Sequence, residues 1–254
     1  MDIQNRTKLN HLLLNWPRDT VFIQAELAKN QISRQLAVTY QKSSWLKRIG
    51  HGAFIRADDK VDWMGAIYAI QQQLNLPIYP AGKTALQLQG YAHFVPLGSN
   101  YPIWLLGQPG NKLPRWFKAY SWQVIINYNT TKLFSNNENL GLVDYDRGSY
   151  AIKISTPERA ILEVLYFVPD DQSFSEAQLL MEGLTTLRPN LVQALLESCN
   201  SIKVKRLFLF LAENFQHAWL KKISLDKIDL GRGKRMIIKD GKFDSKYQIT
   251  IPRE

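Results

Sequence analysis

Between positions 34 and 42 lie five residues suited to reading a polyanion: Arg34, Gln35, Val38, Gln41 and Lys42. On a helix, Leu36, Tyr40 and Ser43 form one line at steps of four and three, and Ile32 just before the helix extends it inward. Arg34, Val38 and Gln41 then face the opposite way, flanked by Gln35 and Lys42. An outward Arg can fork onto guanine, a Gln onto adenine, and a Lys can neutralise a phosphate, which is the chemistry of a helix lying in a major groove. Ser33 can cap the helix start, where free backbone N–H groups also hold phosphates. Lys47, Arg48, His51 and Arg56 follow at positions fit for phosphate or minor-groove contact. His51, between two glycines, also reads as a plain turn residue. A helix of this kind can serve protein contacts with its charges merely solvated; the charge balance favours nucleic acid.

The elements that must position these side chains are legible around them. Residues 3–14 carry Ile3, Leu9, Leu12 and Leu13 in a helical stripe that Pro17 ends. Val21-Phe22-Ile23 is a short apolar segment, Gln24 to Lys29 a two-turn helix, and Asn30-Gln31 the turn, with Asn30 suited to a left-handed backbone. A helix from Ser33 to about Ser44 precedes a hairpin, Trp45–Ile49 and Ala53–Arg56, joined at Gly50-His51-Gly52. Helix, helix, turn, helix, hairpin is the order of a winged helix-turn-helix, here residues 1–57.

Residues 58–254 read as a second, mixed sheet-and-helix domain, so the chain is α+β. Helices are expected over 61–74, 84–91, from Pro157 with Thr156 as cap, and near 175–184, 190–199 and 202–219. Strands are expected at 103–106, 124–126, 141–143, 150–154, 236–238 and 247–251. Gln108–Asn111 and Ser135–Asn137 read as loops. Trp104, Trp116 and Trp122 sit in apolar settings and read as core.

The formal charge of +10 is unevenly spread: +6 over residues 1–57, −3 over 58–200 and +7 over 201–254. Apolar residues make up 45 % of the chain, which excludes wholesale disorder. The single cysteine, Cys199, excludes a disulfide scaffold and a cysteine zinc cluster. No apolar run approaches the roughly 18 residues a membrane span needs, and the start of the chain is no signal peptide. A basic, cytoplasmic protein without membrane attachment is expected. In the tail, Lys203, Arg206, Lys221, Lys222, Arg232, Lys234 and Arg235 form a second basic set, either a solvated rim or an anion or nucleic-acid surface. The glycines of Gly231-Arg232-Gly233 leave the backbone open to an anion.

Enzyme chemistry finds little support. Ala81-Gly82-Lys83-Thr84 resembles the end of a phosphate loop, but the required earlier glycine is Pro77, so Thr84 reads as a helix cap. His11, His51, His93 and His217 lack metal spacing, and no cofactor is expected. Asp144 and Asp146 could share a face and hold a cation, or be exposed charges at a strand end. Glu158 and Glu163 lie five residues apart on different faces, with Arg159 available for ion pairs.

Phe22–Ala28 with Trp45–Phe54, then Ser155–Glu163, then Lys203–Leu209 followed by Gly231–Arg235, make nearly the whole chain resemble the AbiEi antitoxins of type IV toxin–antitoxin systems. The resemblance implies a bacterial autorepressor whose winged helix binds inverted repeats in its own promoter, a monomer in solution with two copies on double-stranded DNA. It implies a C-terminal antitoxin domain, its surface the seven tail cations above. That domain would oppose a nucleotidyltransferase-like toxin without a stable complex, in abortive infection of phage-infected cells. A winged-helix regulator with a ligand-sensing C-terminal domain is the alternative.

Overall fold

The computed structural model describes residues 3–91, 98, 100–134 and 137–253. His93 and the Ser135-Asn136 loop lie outside the described residues. The N-terminal part contains α1 (Ile3–Asn15), β1 (Phe22–Ile23), α2 (Gln24–Lys29), α3 (Arg34–Lys42), β2 (Leu46–Gly50) and β3 (Ala53–Arg56). Its antiparallel sheet has the order β1-β3-β2, the arrangement of a winged helix. Leu9, Leu12, Trp16, Leu27, Ile32, Ala37, Tyr40 and Phe54 close one core beneath the three helices, with Trp16 stacked on Phe22 at 4.6 Å.

Two local readings are corrected here. In the α2–α3 turn it is Gln31 that takes the left-handed backbone (φ 60°), while Asn30 has φ −86°. On α3 the buried line passes through Ala37 and Tyr40, Leu36 is half-buried, and Ser43 is an exposed C-cap because the helix ends at Lys42.

The middle contains α4 (Trp63–Tyr68), which widens into one π turn over Ala69–Gln73, then β4 (Tyr79–Pro80), α5 (Gly82–Leu88) and β5 (Tyr101–Gly107). After these come α6 (Arg115–Ala119), β6 (Val124–Thr130), β7 (Leu142–Asp146) and β8 (Ala151–Ser155). Strands β4-β5-β6 form one sheet, with β5 and β6 parallel, and β7-β8 form an antiparallel ribbon. Helix α5 starts earlier than the sequence suggests. Thr84 is inside it and caps nothing; its hydroxyl accepts from Trp104 N–H at 2.7 Å and ties α5 to β5.

Packing runs across residue 57 without a gap. Val21, Ile23, Ile49, Ala53 and Ile55 from the winged helix share one apolar cluster with Trp63, Ile67, Ile70, Ile103, Trp116 and Phe117. The Gln73 carboxamide accepts from Ile23 N–H at 2.9 Å and donates to Val21 carbonyl at 2.8 Å, as one more strand residue would.

The C-terminal part packs α7 (Pro157–Tyr166), α8 (Phe174–Glu182), α9 (Pro189–Ser198) and α10 (Ile202–Asn214) around a large apolar core. Helix α10 ends five residues before the expected Trp219, because Gln216 turns left-handed (φ 51°), and a short 3-10 turn covers Ala218–Lys222. The tail adds β9 (Arg235–Met236), β10 (Lys242–Asp244) and β11 (Ile249–Ile251) in the order β10-β11-β9. Strand β10 carries too little apolar alternation to be read from sequence.

Gly65 in α4 lies against the chain before β1, where a Cβ would collide with the Asp19 carbonyl oxygen. Gly65→Ala is expected to destabilise the protein by about 1–3 kcal/mol, the usual cost of overpacking a rigid contact. Chemical denaturation of the two proteins measures the difference.

Candidate nucleic-acid interface

Helix α3 is placed by its caps. Ser33 Oγ accepts from Leu36 N–H at 3.2 Å, and Tyr40 buries its ring at the centre of the N-terminal core. This fixes the opposite face: Arg34, Gln35 and Lys42 are exposed, Gln41 is half-exposed, and Val38 is 48 % exposed. An apolar side chain held in water between Arg and Gln fits a thymine methyl, while its neighbours fit base edges. Lys47 and Arg48 are exposed on β2, and His51 is exposed in the hairpin turn, where Gly52 has φ 70°. Arg48 folds back so that Nε donates to Gly50 carbonyl at 3.0 Å.

Electrostatically this surface is one-sided. Between residues 20 and 57 the sequence holds a single acid, Glu26. Its carboxylate is engaged by Lys29 at 2.7 Å on α2. The cations of α3 and the wing therefore face solvent with no carboxylate of their own segment beside them, an arrangement whose charge suits a polyanionic partner.

Trp45, a large apolar residue between α3 and β2, is 47 % exposed. Strict alternation would group Trp45 with Ile49. Trp45 precedes β2, however, and stays exposed, while Leu46 and Ile49 on the strand are buried in two different apolar clusters.

Arg56 does not belong to the wing surface. It is buried at 7 % exposure, donates from Nη2 to the carbonyls of Leu13 (2.6 Å) and Trp16, and lies over the Trp16 ring at 5.7 Å. Burial lowers its pKa, and nearby Asp59 opposes that shift. Its role is to satisfy the last carbonyls of α1 and the chain just after it.

The tail cations divide in the same way. Arg206 is 3 % exposed and donates to the carbonyls of Leu230, Gly231, Gly233 and Gln248 at 2.6–3.3 Å. Lys203 donates to Tyr166 and Val168 carbonyls at 2.8 and 2.6 Å, beyond the C-terminus of α7, and burial lowers its pKa. Arg206 is buried and Lys203 half-buried, and both direct their N–H groups at the backbone. The carbonyls of Gly231 and Gly233 accept from Arg206, and Gly231 N–H donates to Asp229 at 2.8 Å. Lys221, Lys222, Arg232, Lys234 and Arg235 remain exposed.

The groups with enzymatic appearance are engaged elsewhere. Gly82 N–H, which a phosphate loop would offer to a nucleotide, donates to Glu163 at 3.0 Å. Lys83 pairs with Glu176 at 2.9 Å and sits 4.1 Å from the centre of the half-buried Trp104 ring; Trp116 and Trp122 are buried. Asp144 is exposed and pairs with Lys153 at 2.9 Å, while Asp146 accepts from Gly148 N–H. Among the described residues no group of three or more His, Cys, Asp or Glu is placed to hold a metal. No helix among them is long and apolar enough to cross a membrane.

Two family models match the sequence. One, described as a transcriptional regulator, AbiEi antitoxin, type IV TA system, covers residues 100–252. The other, the AbiEi antitoxin N-terminal domain, covers residues 5–97. A search of curated proteins found no significant match. Among solved structures, the RV2827C protein from Mycobacterium tuberculosis is similar in fold, with a TM-score of 0.59 at 12 % identity. The similarity covers 98 % of this chain and 92 % of that one.

Truncating Arg206 strands buried carbonyls. Arg206→Ala is expected to cost about 1–3 kcal/mol, against less than about 0.5 kcal/mol for Lys222→Ala, compared by thermal unfolding. Glu158 gives a pH prediction. Burial opposes its ionisation, but hydrogen bonds from the side chain and backbone of Arg188 outweigh that and hold its carboxyl below the usual range. Its contribution is therefore complete above the ordinary carboxylate pKa and lost as pH falls through the lowered folded value. Glu158→Gln should lower stability at neutral pH and flatten the acid limb of a stability–pH curve.

Proposed function

Because the chain belongs to the AbiEi antitoxin family of transcriptional regulators, we propose that it represses its own operon by binding inverted repeats in promoter DNA. The observation that carries this reading is the acid-free, exposed face of α3 and the wing. Arg34, Gln35, Val38 and Gln41 read base edges; Ser33, Lys42, Lys47, Arg48 and His51 hold phosphates. The protein is a cytoplasmic monomer in solution, and two copies occupy the two half-sites of double-stranded DNA. Residues 1–57 read DNA. Residues 58–254 supply the antitoxin activity against a nucleotidyltransferase-like toxin, without catalysis, cofactor or a stable toxin complex.

Mobility shift of the full-length protein on its own upstream region, against a scrambled duplex across salt concentrations, tests this reading. The native site should bind more tightly. Arg34→Ala should reduce the preference for it by about tenfold or more. Lys47→Ala should weaken both duplexes alike and reduce the salt slope by about one. Equal affinity of the unaltered protein for both duplexes would sink the operator assignment. Effects of Arg34→Ala confined to the salt slope would remove direct base readout.

A further inference from the structure

The small sheet at the end of the chain has one face packed on α10 and one in water. Inward, Ile249 is fully buried and Ile237 and Tyr247 nearly so, all part of the C-terminal core. On the outward face, Phe243 of β10 pairs with Thr250 of β11, and Thr250 pairs with Met236 of β9. Paired residues share a face, so Phe243, Thr250 and Met236 form a row straight across all three strands. The row is exposed at both ends: Phe243 is 41 % and Met236 66 % accessible. At about 4.8 Å between strands it spans roughly 10 Å, enough for one base on the aromatic ring and part of a second beside it.

Two features say what covers such a row. Residues 231–253 hold seven basic side chains against two aspartates, Asp240 and Asp244. All seven are exposed, Lys242 on the edge strand β10 and Arg253 just past the central strand β11 among them. Among the described residues, Lys246 is the one that pairs with an acid, Glu213. In addition, Lys234, two residues before Met236 and hence on the same face, reaches across to the Phe243 ring, its Nζ 4.9 Å from the centroid. The ring thus already engages a cation through its π face, next to where a phosphate would lie. An aromatic ring open on a sheet face and flanked by cations binds a base by stacking and its phosphates by charge. A duplex keeps its bases stacked inside and has nothing to offer the ring. Unstacked bases are the hallmark of RNA loops and ends.

We propose that the outward face of the β10-β11-β9 sheet is a binding site for single-stranded RNA, with a base on Phe243 and the adjoining phosphate on Lys234, separate from the DNA-reading face of α3. On binding, the Lys234 ammonium moves from the ring to the phosphate and the base takes its place.

Fluorescence anisotropy of the full-length protein with a labelled RNA strand of about 12 nucleotides, within the range such surfaces cover, tests the proposal at low salt against a blunt RNA duplex of equal length. The single strand should bind more tightly than the duplex. Phe243→Ala should weaken single-strand binding about tenfold or more, and Phe243→Tyr should restore it to within about threefold. Phe243 is partly exposed, so both variants should unfold at nearly the wild-type temperature, which separates lost stacking from lost fold. Binding of the duplex as tight as that of the strand overturns the proposal, as does Phe243→Ala binding like wild type. Competition by polyglutamate as effective as by unlabelled RNA also overturns it and assigns the face to an acidic protein. Arg34→Ala should leave RNA binding unchanged, and Phe243→Ala should leave operator binding unchanged, so either surface can fail without the other.

Discussion

One buried ion pair joins more of this fold than any single apolar contact. Glu163 on α7 receives Arg159 Nε at 2.8 Å, Gly82 N–H at 3.0 Å, Ser155 Oγ at 2.7 Å and the Tyr79 hydroxyl at 3.3 Å. Arg159 in turn donates to the Tyr79 oxygen at 2.6 Å and to the carbonyls of Glu138 and Leu140 at 2.7 and 2.6 Å. Both side chains are at least 95 % buried. Taking two charges out of water costs several kcal/mol each, and only a nearly full set of hydrogen bonds offsets that. Here the set draws on β4, α5, β8, α7 and the loop before β7, so the middle sheets and C-terminal helices must meet for the pair to be tolerated. Burial and the adjacent Glu163 push the Tyr79 hydroxyl upward, which keeps it protonated and able to donate to the carboxylate while accepting from the guanidinium.

The same logic separates the cations that hold the fold from those that stay exposed. Arg56, Lys203 and Arg206 each donate to backbone carbonyls near helix ends or in irregular segments. An arginine there is worth more than a lysine, because its planar fork reaches several oxygens at once, and Arg206 reaches four. Once these are set aside, the exposed cations include those of the α3–wing face and of the terminal sheet, beside others such as Lys112, Arg115 and Lys118. A net charge of +10 could not distinguish the two uses.

Legibility in the sequence followed the range of the interactions. The α+β class, the winged-helix order, the Ser33 cap and the outward set on α3 depend on neighbours within a turn or two, and they stand as read. The structural cations did not, because their acceptors lie 24 to 43 residues away and are backbone oxygens without side-chain identity. Gln31 was hidden by the rarity of left-handed glutamine. The row on the terminal sheet was hidden because β9 and β10 are two and three residues long, too short for alternation to register. The seven-residue set in the tail joined buried and exposed cations because spacing on α10 orders faces but does not say which face another segment covers.

The shared core across residue 57 constrains how the two ends of the chain can influence each other. Strand β2 is seated on α6 so closely that a Cβ at Gly50 would lie 2.7 Å from Trp116 Cβ. Ile49 and Ile55 reach into the same cluster as Trp116 and Phe117. A domain on a loose linker would lose orientational freedom on binding any partner; one seated this way has lost most of it on folding. A hinge at residue 57 would have to break buried apolar contact. Any coupling between the α3 face and the terminal sheet must therefore pass through small shifts in packed elements, or through electrostatics, which fall off within about 10 Å in ordinary salt. The α3–wing face and the terminal sheet are thus two basic faces carried on one connected frame.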